Sequence, residues 1–222
     1  MSNLSQESLL REIDEDLRRE RYGELWRRYG VFIVAAIIVL LIGIAGYQFW
    51  QHRTRSMQEE GSARFVAAMA LAQTDRAAAE RDLAAVAQGG PAGLAVLAGL
   101  RQAVLLAEGG DVQAARAAYQ QVQRTAGNTL YRDLAVVREA MLALQAEAVP
   151  LDADAIAAKL EPLKATSNPW HFSARELSAV LAARTGRIGE ARTLLSELAG
   201  DQQVPPDMRE RAQQLLTQLP ES

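Results

Sequence analysis

The 222-residue chain has no cysteine. That absence excludes disulfides, thiolate metal sites and a lipid anchor on cysteine, and it is compatible with an oxidising compartment. Histidine is almost as scarce. His52 and His171 lie far apart in sequence with no adjacent ligand set, so no metal site is expected. Lysine is nearly missing too: 22 of the 24 basic residues are arginine, and alanine is abundant. This reads as a bias toward GC-rich codons rather than a binding signal. Net charge is −3, and residues 51–222 carry 18 basic against 20 acidic side chains, a net of −2. Nothing there makes the basic stripe that a phosphate backbone requires, so nucleic acid is excluded as a partner.

Strand signals are also lacking. Runs of β-branched residues are short beyond residue 50, and Ala, Leu, Gln, Glu and Arg dominate, all good helix formers. Without strands there is no strand-to-helix glycine loop to cradle a phosphate. The "DAD" at 152–154 is accounted for by a helix cap followed by a first-turn acid, not by a pair of catalytic carboxylates. No catalytic residue and no cofactor is expected, and the chain reads as a non-enzyme.

One long apolar run stands against this soluble background. In "RRYGVFIVAAIIVLLIGIAGYQFWQHR", residues 27–53, no charge or strong polar group occurs from Val31 to Tyr47. About 20 apolar helical residues cross a hydrocarbon core of about 30 Å. Trp26 and Tyr29 stand at one end, and Tyr47, Phe49 and Trp50 at the other, placing aromatic rings at both headgroup layers. A buried core helix would keep a polar face over such a length. A cleaved signal finds a weak mimic in Gly43 and Ala45. However, about 30 residues precede the run, the run is longer than a typical signal core, and bulky aromatics follow the supposed cut. A permanent anchor over 29–50 is the better reading, following a charged helical tail over 1–28. The fifteen residues before the run hold five arginines and the fifteen after it hold three. That bias places the tail in the cytoplasm and residues 51–222 across the membrane.

Beyond the anchor, turn signals recur at regular intervals: "QGGPAG" (88–93), "EGGDV" (108–112), "AGNT" (126–129), "VPLDAD" (149–154), "TSNPW" (166–170), "RTGRIG" (184–189) and "DQQVPPD" (201–207). Between them the pattern predicts helices over 51–73, 75–87, 92–108, 111–124, 129–147, 152–164, 169–185, 187–199 and 206–218. The result is all-α: four helical hairpins and a closing helix, repeating every 38 residues or so. "GDVQAARAAYQQV" (110–122) and "GRIGEARTLLSEL" (186–198) align without gaps at an offset of 76. Gly110 matches Gly186, Ala115 matches Ala191, Tyr119 matches Leu195 and Val122 matches Leu198. Glycine ends one helix, the small alanine lets the next pack close, and the larger residue four on fills the space between them.

This pattern resembles the tetratricopeptide repeat in a degenerate form, with Ala103 and Ala179 near the small position of the first helices. The order of parts adds a second resemblance. The "EIDEDLRRERYGELWRRYG" helix, a single anchor ending "GYQFWQ" and a repeat domain are similar to bacterial YfgM-type proteins, ancillary subunits of the SecYEG translocon. The resemblance implies a single-pass inner-membrane protein with a periplasmic repeat domain. Its implied partners are the translocon, a periplasmic chaperone and client polypeptides. A self-associating scaffold organising an envelope or cell-division complex is the alternative, and a homo-oligomer is compatible with both.

Three features are candidate binding sites. Helix 92–108 is apolar all round, so it is either sandwiched between hairpins or presents Leu97, Leu100 and Val104 to a groove. Trp170 and Phe172 either plug the space between the third and fourth hairpins or join that groove. In the anchor, Ala36, Gly43 and Gly46 fall on one face, where small residues allow another membrane helix to approach closely.

Overall fold

The computed structural model describes residues 3–146 and 150–220, with side chains in the first helix from Arg27 onward except Tyr29, Ile33 and Ile37. Every regular element among the described residues is helical. The chain divides into two units, Met1–Ser56 and Met57–Ser222, and helix α1 (Asn3–Leu71) contributes residues to both.

In the first unit, α1 carries the apolar run with its side chains turned outward. Phe32 is 72 % exposed and Phe49 69 %, and Val39, Leu40, Leu41, Ile42 and Trp50 are exposed alike. A core helix would bury such groups, each gaining about 1.5–3 kcal/mol on leaving water. Exposure on all sides removes the core-helix alternative. From Gly30 onward α1 is long and apolar enough to cross a membrane.

The second unit builds on the last turns of α1 and continues with α2 (Arg76–Gly89), α3 (Ala92–Glu108), α4 (Val112–Thr125), α5 (Thr129–Gln145), α6 (Ala153–Leu160), α7 (His171–Arg184), α8 (Ile188–Gly200) and α9 (Pro206–Gln218). Side-chain caps start several of them. Asp75 accepts from the Ala78 amide, Asp111 from Ala114, Asn128 from Leu130 and Asp152 from Ala155, each satisfying a donor the helix cannot. The sixth helix is shorter than its pattern predicts, giving way to a 3-10 turn at Glu161–Lys164. Pro162 is the reason: it has no N–H to continue the α-helical ladder.

The turns at 110 and 186 are the same structure. Gly110 and Gly186 have φ of +85° and +78°, a conformation that glycine reaches without steric cost. At the first turn the amides of Gly109, Gly110 and Asp111 donate to the carbonyls of Leu105, Ala107 and Leu106. Seventy-six residues on, Thr185, Gly186 and Arg187 donate to Leu181, Ala183 and Ala182. Both are Schellman caps, closing the helix on its own orphan carbonyls.

Packing follows the alignment. Ala115 and Ala191 are fully buried, as are Ala103 and Ala179, while Tyr119 and Leu195, and Val122 and Leu198, fill the spaces beside them. The core is therefore serial. One cluster joins Ala68 of α1 to Leu83, Ala98 and Leu105. The next joins Val96, Ala103, Tyr119, Val122 and Ala135. A third joins α5, α6 and α7 through Leu144, Ile156, Leu160, Leu163 and Leu181. The last joins Ala179, Leu195, Leu198, Val204 and Ala212. Each hairpin completes its core with the first helix of its successor, which is how repeat arrays gain stability from nearest neighbours.

Candidate functional site

Helix α3 serves two of these clusters at once. Ala98 and Leu105 face α2, and Val96 and Ala103 face α4 and α5. Gly99 lets α4 come close, since a Cβ there would stand 2.7 Å from a methyl of Val122. Its remaining side is open. Leu97, 43 % exposed, lines with Leu100 and Val104 a depression of about 250 Å³. So the helix is sandwiched and also presents a face, and three of the five groove candidates come together there.

The other lining residues are Arg101 on α3, Tyr119 on α4, and Leu134 and Arg138 on α5. Tyr119 is buried beneath them. Burial raises its phenol above the ordinary range, an effect the charge of Arg138 partly offsets. Arg101 is half-buried and Arg138 exposed, and the Arg101 Nε is buried without a hydrogen-bond partner. The sequence pattern missed Arg101, Leu134 and Arg138, although a signal exists. Leu134 and Arg138 stand 37 residues after Leu97 and Arg101, one repeat on.

Trp170 and Phe172 sit elsewhere. Trp170 packs on the core of the third hairpin, and its indole N–H donates to the Leu130 carbonyl at 3.0 Å. Phe172 packs against the core of α7–α9, with its ring 3.8 Å from that of His171. The His171 Nδ1 lies 2.7 Å from the Asn168 carbonyl and must donate, because a carbonyl only accepts. These aromatics plug the join between the third and fourth hairpins and line no part of the depression.

In the first unit, Tyr47, Phe49 and Trp50 are exposed near one end of the apolar run. The side chains of Trp26 and Tyr29 lie outside the described residues. Ala36 is exposed, and a Cβ added to Gly43 or Gly46 would meet nothing within 4 Å. The three fall within about 80° of one another around the helix.

A buried polar knot lies between α4, α5 and α6. Glu139, only 3 % exposed, accepts from Gln120 at 2.7 Å, Gln123 at 2.8 Å and Lys159 at 2.6 Å, with Arg116 at 3.8 Å. Burial by itself raises a carboxyl pKa. Here the three donors and the Lys159 charge outweigh it and hold Glu139 below the usual range. Every partner is another side chain of the array, so the knot ties three helices together. Among the described residues no three His, Asp or Glu side chains gather as a metal site would.

A family model described as the tetratricopeptide repeat-like domain matches residues 24–209. The chain belongs to this family. No curated protein and no solved structure matches it significantly. As a tetratricopeptide repeat-like chain it carries a protein–protein interaction domain, together with one candidate membrane-spanning helix. The Schellman glycines, the buried alanines and the large residues beside them are the repeat's scaffold, and the depression across α3 and α5 is an open apolar surface on it.

Proposed function

We propose that this protein is a single-pass anchor that holds a repeat domain beside the SecYEG translocon of the bacterial inner membrane. There it assists secreted or envelope proteins together with periplasmic chaperones. In this reading the tail before residue 29 is cytoplasmic, 29–50 span the membrane, and the repeats lie in the periplasm. The observation that carries it is the pairing, in one chain, of an apolar helix exposed on every side with an interaction domain bearing an open apolar depression. The arginine bias across the anchor supports the orientation, and the likeness of the "LRRERYGELWRRYG" segment to translocon-associated proteins supports the place. Ala36, Gly43 and Gly46 form the proposed face for a partner membrane helix, and Leu97, Leu100 and Val104 the proposed surface for polypeptide.

Co-purification from detergent-solubilised membranes tests the reading. Translocon subunits and a periplasmic chaperone are expected with the wild type. Gly43→Leu combined with Gly46→Leu keeps the span apolar but blocks close helix packing, so translocon recovery should fall at normal membrane levels. Recovery of the protein alone, or only of other envelope machinery, would sink the translocon reading in favour of a scaffold.

A further inference from the structure

The depression is built from one motif used twice. The buried alanines fix the register: Ala98 and Ala103 in α3 correspond to Ala135 and Ala140 in α5, all four buried. In that register Leu97 is equivalent to Leu134 and Arg101 to Arg138, and these are the residues that line the depression. The motif ends there. The next pair of buried alanines is Ala174 and Ala179, which puts Ser173 and Leu177 at the corresponding positions. Two successive first helices thus present a leucine and, one turn on, an arginine. The leucine row and the arginine row lie about 6 Å apart along the helices.

Neither arginine makes an ion pair among the described residues. Glu139, which follows Arg138 in α5, is held instead by Lys159, Gln120 and Gln123. The Arg101 Nε is buried without a partner, as are those of Arg116 and Arg209, so the part of Arg101 that can meet a ligand is the terminal N–H groups of its guanidinium. A guanidinium beside an apolar floor asks for a carboxylate attached to an apolar group.

We infer that the depression binds a polypeptide segment in polyproline II conformation that carries a bulky apolar side chain at every third position and acidic side chains between, with Leu97 and Leu134 taking the former and Arg101 and Arg138 the carboxylates. Packed helix axes lie about 8–10 Å apart. A polyproline II segment advances about 3.1 Å per residue with three residues per turn, so side chains three apart return to the same face about 9 Å on and can serve as successive apolar anchors. The inference rests on the proposal that the repeat domain holds polypeptides, and it adds the chemistry of the segment.

The test uses the full chain in nanodiscs of uncharged lipid and a fluorescent peptide with leucine at every third position and glutamate between. Its partner is the same peptide with glutamine for glutamate. Fluorescence anisotropy should show the acidic peptide binding about tenfold tighter or more, and the preference should shrink as salt rises. Arg101→Gln with Arg138→Gln should bring the two peptides to equal affinity without lowering the melting temperature. Leu97→Ser should weaken both peptides. Equal binding of the two peptides by the wild type would overturn the inference, as would a preference that survives the double substitution. Polyglutamate competing as well as the leucine-bearing peptide would overturn it too, by making the arginines a general anion patch. If Leu97→Ser weakens both peptides while the arginine pair changes nothing, the polypeptide surface stands and its acidic specificity falls. If neither peptide binds but translocon subunits still co-purify, the specificity fails alone.

Discussion

Gly110 and Gly186 are the residues where a single side chain decides a turn. Both have positive φ, and both end a first helix in the same three hydrogen bonds. An L-residue held in that conformation costs about 1–2 kcal/mol, and a β-branched one more. In the repeat domain, residues 57–222, Gly110→Val and Gly186→Val should each lower the unfolding free energy by about that amount in urea titrations. Gly110→Asn should lose less, because asparagine tolerates the left-handed region better. Gly189 provides the contrast. It lies inside α8 with an ordinary φ and open space where a Cβ would go, so Gly189→Ala should stabilise by about 0.5 kcal/mol. A loss for Gly189→Ala, or none for the valines, would contradict the backbone assignment. The two turn glycines were legible in the sequence because each sits between helical runs and recurs at a fixed offset. Gly99 was not. It looks like any glycine in an apolar helix, and only its approach to Val122 explains it.

At the scale of elements, the most consequential side chain is one that the charge pattern hid. Glu139 sits in a run of helix-forming residues where a lone acid is normally solvated, yet it is buried and joins α4, α5 and α6. Its folded pKa is depressed, so its stabilisation is fully present above the unfolded carboxyl range and is lost as pH falls through the folded value. Wild-type repeat domain should therefore exceed Glu139→Gln in stability at pH 7. That gap should narrow as pH falls below about 4.3, the unfolded glutamate value. Glu139→Ala, which strands Gln120, Gln123 and Lys159, should cost about 2–4 kcal/mol at neutral pH. A gap that is constant from pH 7 to pH 3 would mean that the carboxylate's charge contributes nothing. From α2 onward the helices were legible to within about a turn, since glycine, proline and capping acids mark their ends. The separate helix read over 51–73 is instead the end of α1, continuous from Asn3 because no glycine, proline or cap interrupts the chain at residue 50. The departure at α6 comes from Pro162, whose missing N–H converts a predicted last turn into 3-10 geometry. The depression was legible only in part. Apolar residues all around α3 announced burial on several sides, but which side stays open depends on where α4 and α5 pack. The part taken by Leu134 and Arg138 needed a register that only the buried alanines supply.

For the molecule as a whole, the reading turns on the exposed helix. The described apolar side chains between Val31 and Trp50 face outward. Water is a poor solvent for that surface, and a bilayer about 30 Å thick matches its length. Retention and orientation then decide where the repeat domain works. Five arginines before the run against three after it favour a cytoplasmic tail, since basic residues near the ends set topology while acidic neighbours count for little. Protease added to spheroplasts should therefore digest the chain beyond residue 56 and leave a small membrane-embedded fragment carrying the N-terminus. The same treatment after lysis should remove the tail as well. Tags at either end, followed by immunoblotting, distinguish the fragments. Protection of the repeats in intact spheroplasts, with digestion only after lysis, would place them in the cytoplasm and end the proposal of a periplasmic role. A shortened soluble form in the periplasm would mean the helix is a cleaved signal, and the domain would then act unanchored. Moving the charges sharpens the same test. Replacing Arg27 and Arg28 by glutamine removes two of the five arginines and leaves three on each side. If the bias sets the orientation, part of the population should invert, and the protected fraction should rise from near zero to a measurable share.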